Sequence, residues 1–174
     1  MAKLDTYLQR KAQVLSERRS DFEAAPERAM VRLTVSSWVA GTTGARPVRV
    51  GESLWITDSA PALAGNGLGP TAPEMLLGAL ASCLAHTYLI AAALHGTALD
   101  GVDVTVKGAL DMASVVGLEA SELPRMEQVT WHAAVTSPDG DEAVDRLHDV
   151  VDRLCPVLNT LRFPVEVRRV NADE

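Results

Sequence analysis

Two cysteines, Cys83 and Cys155, have the widest chemical range of any side chains in this 174-residue sequence. A thiolate is a nucleophile, a metal ligand and the first rung of the sulfur oxidation ladder. Cys83 lies midway along the apolar stretch PTAPEMLLGALASCLAHTYLIAAALHG (70–96), and Cys155 stands before Pro156 at the end of a second periodic stretch. Taken alone, each reads equally as a small buried hydrophobe, which free cysteines commonly are. His86 follows Cys83 at i, i+3 and offers a Cys–His nucleophile of hydrolase type. That spacing is also what any helix produces. A zinc site is not expected, because the sequence has no Cys-x-x-Cys and no histidine cluster, and two ligands do not complete a tetrahedral shell. His95 reads as a partner for a helix C-terminus, and His132 and His148 read as surface residues.

The element carrying Cys83 is predicted as one long helix. Thr71 and Glu74 have the spacing of a capping box, Pro73 fits a first turn, and Gly96 fits a left-handed stop. The body is apolar on nearly every face, which places it inside a core. Its length would cross a bilayer. Against a span stand the polar Ser82, His86 and Thr87, the lack of flanking Lys/Arg and aromatic anchors, and the absence of a second span.

Around this helix the chain reads as α+β with mostly antiparallel pairing. Residues 1–28 form a charged helix with a narrow stripe of Leu4, Leu8, Leu15 and Phe22, which must dock on something to be stable, and Ala25-Pro26 ends it. Residues 29–174 form the main domain. Alternation predicts strands over Met30–Val39, Arg46–Val50, Leu54–Thr57, Val102–Met112, Met126–Ser137 and Phe163–Val170. Asp141–Leu154 is an amphipathic helix with Val144, Leu147, Val151 and Leu154 on one face, stopped by Cys155-Pro156. The Gly/Pro loop 58–70 is no phosphate cradle, since it lacks GxGxxG and a P-loop lysine.

Composition narrows the function classes. At 47% hydrophobic and 22% charged residues the chain can build a core, and with 4% aromatics that core rests on Leu, Val and Ala. A net charge of −7 argues against a nucleic-acid surface, which needs phosphate-neutralising patches. The N-terminus MAKLDTYLQRKAQ has no apolar run of signal-peptide length, so the cytoplasm is the expected compartment. There two cysteines are thiols or a redox-active pair and not a structural bridge.

Gly69-Pro70-x-x-x-Glu74-x-Leu76-Leu77-x-Ala79-Leu80-Ala81-Ser82-Cys83-Leu84-Ala85-x-Thr87, followed by Cys155-Pro156-Val157-x-Asn159-Thr160-Leu161, resembles the OsmC/Ohr family of osmotically inducible and organic-hydroperoxide-resistance proteins. The similarity runs from about Leu33 to Val170. The N-terminal helix lies outside the common core, although longer members carry a similar extension. The resemblance implies an OsmC-like fold, with antiparallel sheets wrapped around long central helices in an intertwined homodimer and two active sites at the subunit interface. It implies a thiol-dependent peroxidase with no cofactor or metal, acting on organic hydroperoxides first and hydrogen peroxide second. By motif Cys83 matches the peroxidatic cysteine and Cys155 the resolving one, with a dithiol or a lipoylated protein as reductant.

A buried thiolate needs a cation, because desolvation raises its pKa. Relatives take an arginine from the loop region before the long helix. Arg46 falls at that place, with Arg49 as the fallback. Relatives support that arginine with a glutamate, but here the segment reads Asp58-Ser59-Ala60-Pro61. Asp58 or Glu74 would have to stand in. That departure motivates a rival of another class, a weakly catalytic module binding an apolar small molecule at the dimer interface. Cys83–His86 hydrolase chemistry is a third.

Overall fold

The computed structural model describes residues 2–163 and 165–171. Its elements are α1 (Asp5–Ala24), β1 (Ser36–Ser37), β2 (Arg46–Val50), β3 (Ser53–Thr57), α2 (Ala72–His95), β4 (Gly101–Leu110), β5 (Met126–Thr136), α3 (Asp141–Leu154) and α4 (Pro156–Arg162). β1, β2 and β3 form one antiparallel sheet in that order, and β4 pairs with β5 in a second. The expected mixed α+β architecture is present.

Two expected strands are not formed. Of Met30–Val39 only Ser36 and Ser37 enter a ladder, and residues 165–171 carry no regular structure, with Pro164 outside the described residues. Alternation specifies a face to bury, yet a strand also needs a neighbour for its N–H and C=O groups. Residues 30–35 and 165–171 have none among the described residues. Their apolar side chains stand in solvent, Leu33 at 86% and Val167 at 89% exposure.

The chain divides into two compact units. The first holds residues up to Ala12, Leu80–Thr105 and the chain from His132 onward. Nearly all of the buried apolar side chains belong to it: Leu80, Leu84 and Tyr88 of α2, Leu99, Leu147 and Val151 of α3, and Leu158 of α4. In this unit α2 buries Leu80, Leu84, Thr87, Tyr88, Ala91 and Ala92, one face at i, i+4, i+7, i+8 spacing. The helix is therefore buried on a stripe and not all round, as its apolar sequence had suggested. Its stop is as expected: Gly96 has φ +67°, and the Thr97 N–H returns to the Ala92 carbonyl at 3.0 Å.

The second unit, Gln13–Ala79 with Val106–Trp131, is poor in core. β2 and β3 make a tight hairpin, Val50 opposite Ser53, with Gly51 at φ +54° in the turn. Leu54, Trp55 and Ile56 of β3 are all exposed, although consecutive strand residues face opposite sides. The capping box that starts α2 also lies here. Thr71 N–H donates to Glu74 Oε2 at 2.7 Å, and Glu74 N–H returns to Thr71 Oγ1 at 3.4 Å.

The N-terminal helix ends at Ala24 before Pro26, as its sequence predicts, and only its first turns dock. Leu8 is its one buried residue. Beside it, Leu4 N–H donates to the Leu99 carbonyl at 3.0 Å, and Lys3 N–H to Asp100 Oδ1 at 2.6 Å. Leu8→Ala should therefore lower the unfolding free energy by about 2–4 kcal/mol, the usual cost of truncating a buried leucine. Urea melts should find the same change at half-exposed Leu15 much milder.

Candidate active site

Cys83 and Cys155 come together in the first unit. Cys83 is half-buried on α2 and Cys155 is fully buried, both as free thiols. Cys83 is the thiol that neighbours Cys155. Cys155 is the corner residue between α3 and α4. Its N–H caps α3 by donating to the Val151 carbonyl at 3.1 Å, and its own carbonyl accepts the Asn159 N–H at 3.0 Å. Pro156 opens α4, where its missing N–H leaves no unmet donor. Asn159 Nδ2 donates to the Arg153 carbonyl at 2.9 Å, and Arg162 Nη2 pairs with Asp152 Oδ1 at 2.7 Å. The corner is thus tied from both sides, and its thiol has little freedom.

Burial is the main reason the Cys155 thiol is held above its ordinary range, and neighbouring Cys83 adds to it. The Leu158 amide and the Thr87 hydroxyl pull the other way. Thr87 is itself buried, and its Oγ1 donates to the Cys83 carbonyl at 2.7 Å. Neither Thr87 nor Arg162 was singled out from sequence. The signal for Thr87 was present in its i+4 spacing from Cys83, which puts both on one helix face.

His86 does not engage Cys83. Its ring is exposed, and Nε2 accepts from Lys11 Nζ at 3.0 Å, with Lys11 also donating to Tyr7 Oη at 3.3 Å. Partial burial first, and the Lys11 charge second, hold His86 below its ordinary value, so its neutral form is favoured. His132 is exposed as expected, and His148 is not the surface residue it was expected to be. It is half-buried, and its Nδ1 meets the hydroxyl of fully buried Tyr88 at 2.5 Å, with the two rings edge to face. Burial, with Asp152 nearby, pushes the Tyr88 phenol up to about 12.

Arg46 belongs to the second unit, at the start of β2. Its Nη1 donates to the Gly44 carbonyl at 2.8 Å and to Ser59 Oγ at 3.4 Å. Arg49, three residues on and therefore on the other face of the strand, lies over the Trp38 ring at 5.5 Å. No carboxylate forms an ion pair with Arg46 among the described residues. Glu74 is committed to the capping box, which holds its carboxyl below the ordinary range through the Thr71 N–H and hydroxyl.

Asp58 instead organises the loop that Arg46 touches. The buried carboxylate accepts N–H bonds from Ser59 at 2.8 Å, Asn66 at 2.9 Å and Leu68 at 3.2 Å. The loop's glycines answer to this wrapping. A Cβ on Gly65 would fall 1.7 Å from the Ser59 carbonyl oxygen, and one on Gly69 2.0 Å from that of Ile56. The Leu68 amide first, then the Ser59 and Asn66 amides and the Arg46 charge, hold the Asp58 carboxyl below its ordinary value of 3.8, against the effect of burial. Its stabilisation is therefore present above that value and lost as pH falls through the lowered one.

The sequence model of the OsmC-like protein family matches residues 65–169. The chain belongs to the OsmC-like family. Among solved structures, the OsmC-like protein of Mycoplasma pneumoniae aligns with a TM-score of 0.65 at 17% identity, covering 76% of this chain and 88% of that one. The organic hydroperoxide resistance protein OsmC of Legionella pneumophila aligns at 0.59 and 16%, covering 76% and 90%. A Vibrio cholerae protein named for organic hydroperoxide resistance, with captopril bound in one of its active sites, aligns at 0.59 and 18%, covering 78% and 87%. A comparison with curated proteins gives no significant match. At these identities the likeness establishes the fold, which is the OsmC-like one expected from the motifs.

Asp58→Ala should leave the Ser59, Asn66 and Leu68 amides without their acceptor. Hydrogen exchange at these amides should then quicken by about tenfold or more, with the α3–α4 corner unaffected. Unchanged exchange would show that the loop does not rest on Asp58.

Proposed function

We propose that this OsmC-like protein is a thiol-dependent peroxidase that reduces organic hydroperoxides, and hydrogen peroxide less readily, in the cytoplasm. The observation that carries this reading is the apposition of two free thiols, one half-exposed and one buried, in a sequence holding no other cysteine. The Cys83 thiolate attacks a peroxide oxygen, the O–O bond breaks, and the alkoxide leaves as the alcohol after taking a proton, so that Cys83 becomes a sulfenic acid. Cys155 attacks that sulfur, the hydroxyl leaves as water, and a Cys83–Cys155 disulfide forms. A dithiol or a lipoylated protein returns both thiols by exchange. Leu80, Leu84 and Ala85 beside Cys83 suit an apolar peroxide tail. Arg46 is the cation proposed to favour the Cys83 thiolate, held by Ser59 and the Asp58-centred loop where relatives use a glutamate.

Purified protein supplied with a dithiol should consume an organic hydroperoxide. Cys83→Ser should abolish that turnover, Cys155→Ser should leave a trappable sulfenic acid, and Arg46→Ala should lower kcat/KM by about 10²-fold. Intact mass after one equivalent of peroxide should fall by two hydrogens. Unchanged thiols alongside a co-purifying apolar molecule would instead establish the rival binding module.

The active form is proposed to be an intertwined homodimer. Three features support this: the exposed apolar segments at 30–35 and 165–170, which are in no ladder among the described residues, the exposed side chains of β3, and the one-sided burial of α2. Exposed apolar surface on that scale is uncommon in a monomer. Light scattering should give twice the 18.6 kDa chain mass, and a monomer stable at micromolar concentration would refute it.

A further inference from the structure

We propose that the cleft between the C-terminal end of α2 and one face of α3 binds an acidic amino acid, a ligand with two carboxylates and one ammonium on a short chain. The cleft encloses about 330 Å³ and is lined by His95 and Thr97 from the α2 end and by Arg146, Leu147, Asp149 and Arg153 from α3. That volume lies at the small end of ligand cavities, which run from about 300 to 1,000 Å³, and suits one compact molecule. All six residues belong to the first unit. Neither cysteine lines the cleft, and the proposal does not rest on the peroxidase reading.

The spacing on α3 puts the charges in order. Arg146, Asp149 and Arg153 follow one another at i+3 and i+4, so they stand on one side of the helix as cation, anion, cation, with about 10 Å of helix axis between the two arginines. Those are also the separations at which a helix closes internal ion pairs. On α1 they do close, Arg18 with Asp21 at 3.2 Å and Arg19 with Glu23 at 3.0 Å. On α3 Arg146, Asp149 and Arg153 are in no ion pair among the described residues. Asp152, the carboxylate next to Arg153, is taken by Arg162 at 2.7 Å. Three charges thus stand apart around a cleft where the helix would allow them to meet.

A ligand that matches this order brings an anionic group to each arginine and a cation to Asp149. A carboxylate takes a guanidinium in a bidentate pair, and an ammonium donates to a carboxylate. A pure polyanion such as phosphate fits less well for two reasons. Asp149 repels it, and the C-terminal end of α2 presents the negative end of the helix dipole. Both features favour an ammonium instead. Leu147, 1% exposed, gives the cleft an apolar floor for a short methylene chain. The Thr97 hydroxyl and the His95 ring add hydrogen-bonding groups from the α2 side.

The test is isothermal titration calorimetry of the full-length reduced protein with L-glutamate and with L-2-aminoadipate, its homologue longer by a methylene. Each should bind saturably, one molecule per chain, with millimolar or tighter affinity. Glutarate keeps both carboxylates but lacks the ammonium, and should bind at least about tenfold more weakly, the size of a lost hydrogen bond to a charged group. Arg146→Gln and Arg153→Gln should each weaken glutamate by at least about tenfold for the same reason. Asp149→Asn should weaken glutamate and strengthen glutarate, reversing their order. The three substituted positions are exposed, so the fold should persist, as circular dichroism would verify. Arg146→Lys and Arg153→Lys keep the charge but lose the bidentate fork, and give the same direction should a glutamine variant fold poorly. Failure of both amino acids to bind saturably overturns the proposal, as does binding that the arginine variants leave unchanged. Glutarate or phosphate binding more tightly than glutamate to the unaltered protein also overturns it and makes the cleft a site for simple anions.

Discussion

The buried hydrogen bond between Tyr88 and His148 is the constraint on which the two-thiol geometry depends. Tyr88 is a large side chain with no exposed surface, and a phenol hidden so completely must find a partner for its hydroxyl. The half-buried ring of His148 supplies one, edge on to the tyrosine. One residue is on α2 and the other on α3, so the bond sets the rotation of α3 about its axis. Roughly two turns further along α3 comes Cys155, and a little over one turn back along α2 comes Cys83. A slip of one residue in this pairing would carry the Cys155 side chain about 100° around the helix and away from its partner.

The corner that follows turns this register into a fixed point. Val151 and Asn159 clamp the Cys155 backbone from either side, and Asp152, Arg153 and Arg162 tie α4 back onto the end of α3. Such an arrangement suits a resolving thiol, which must meet one sulfur at short range and nothing else. Cys83, half-buried on a straight helix, has the access that a first nucleophile requires. Burial distinguishes the two thiols without any difference in residue type. In the second unit the same economy is visible around Asp58, where one carboxylate satisfies three loop amides and leaves Ser59 to hold Arg46. A carboxylate engaged in that way is a builder of the loop first and a neighbour of the arginine second.

The exposed apolar segments fit a chain whose core is incomplete by itself. Val31, Leu33 and Val35 alternate as a strand should, yet among the described residues they pair with nothing. A period of two in the sequence reports which face seeks burial and is silent about who provides the neighbouring strand. The same holds for the C-terminal Val165 and Val167. Both expected strands failed for this one reason, whereas β2 and β3, joined by a two-residue turn, carry their partner with them.

Local chemistry was legible from the sequence by itself. The capping box of Thr71 and Glu74, the Gly96 stop, the Gly51 hairpin, the span of α3 and its end at Cys155-Pro156 all stand where the residues place them, because each is decided within a few residues of chain. The two-cysteine motif likewise pointed to the OsmC-like fold. Only the tertiary structure decided what these elements face. It turned His86 toward Lys11 and packed His148 against Tyr88, it buried Thr87 with its hydroxyl on the Cys83 carbonyl, and it gave Asp58 to the loop amides. Those outcomes depend on which helix faces meet. Spacing along one helix records which residues share a face, and the partner of that face is settled by packing between segments far apart in the chain.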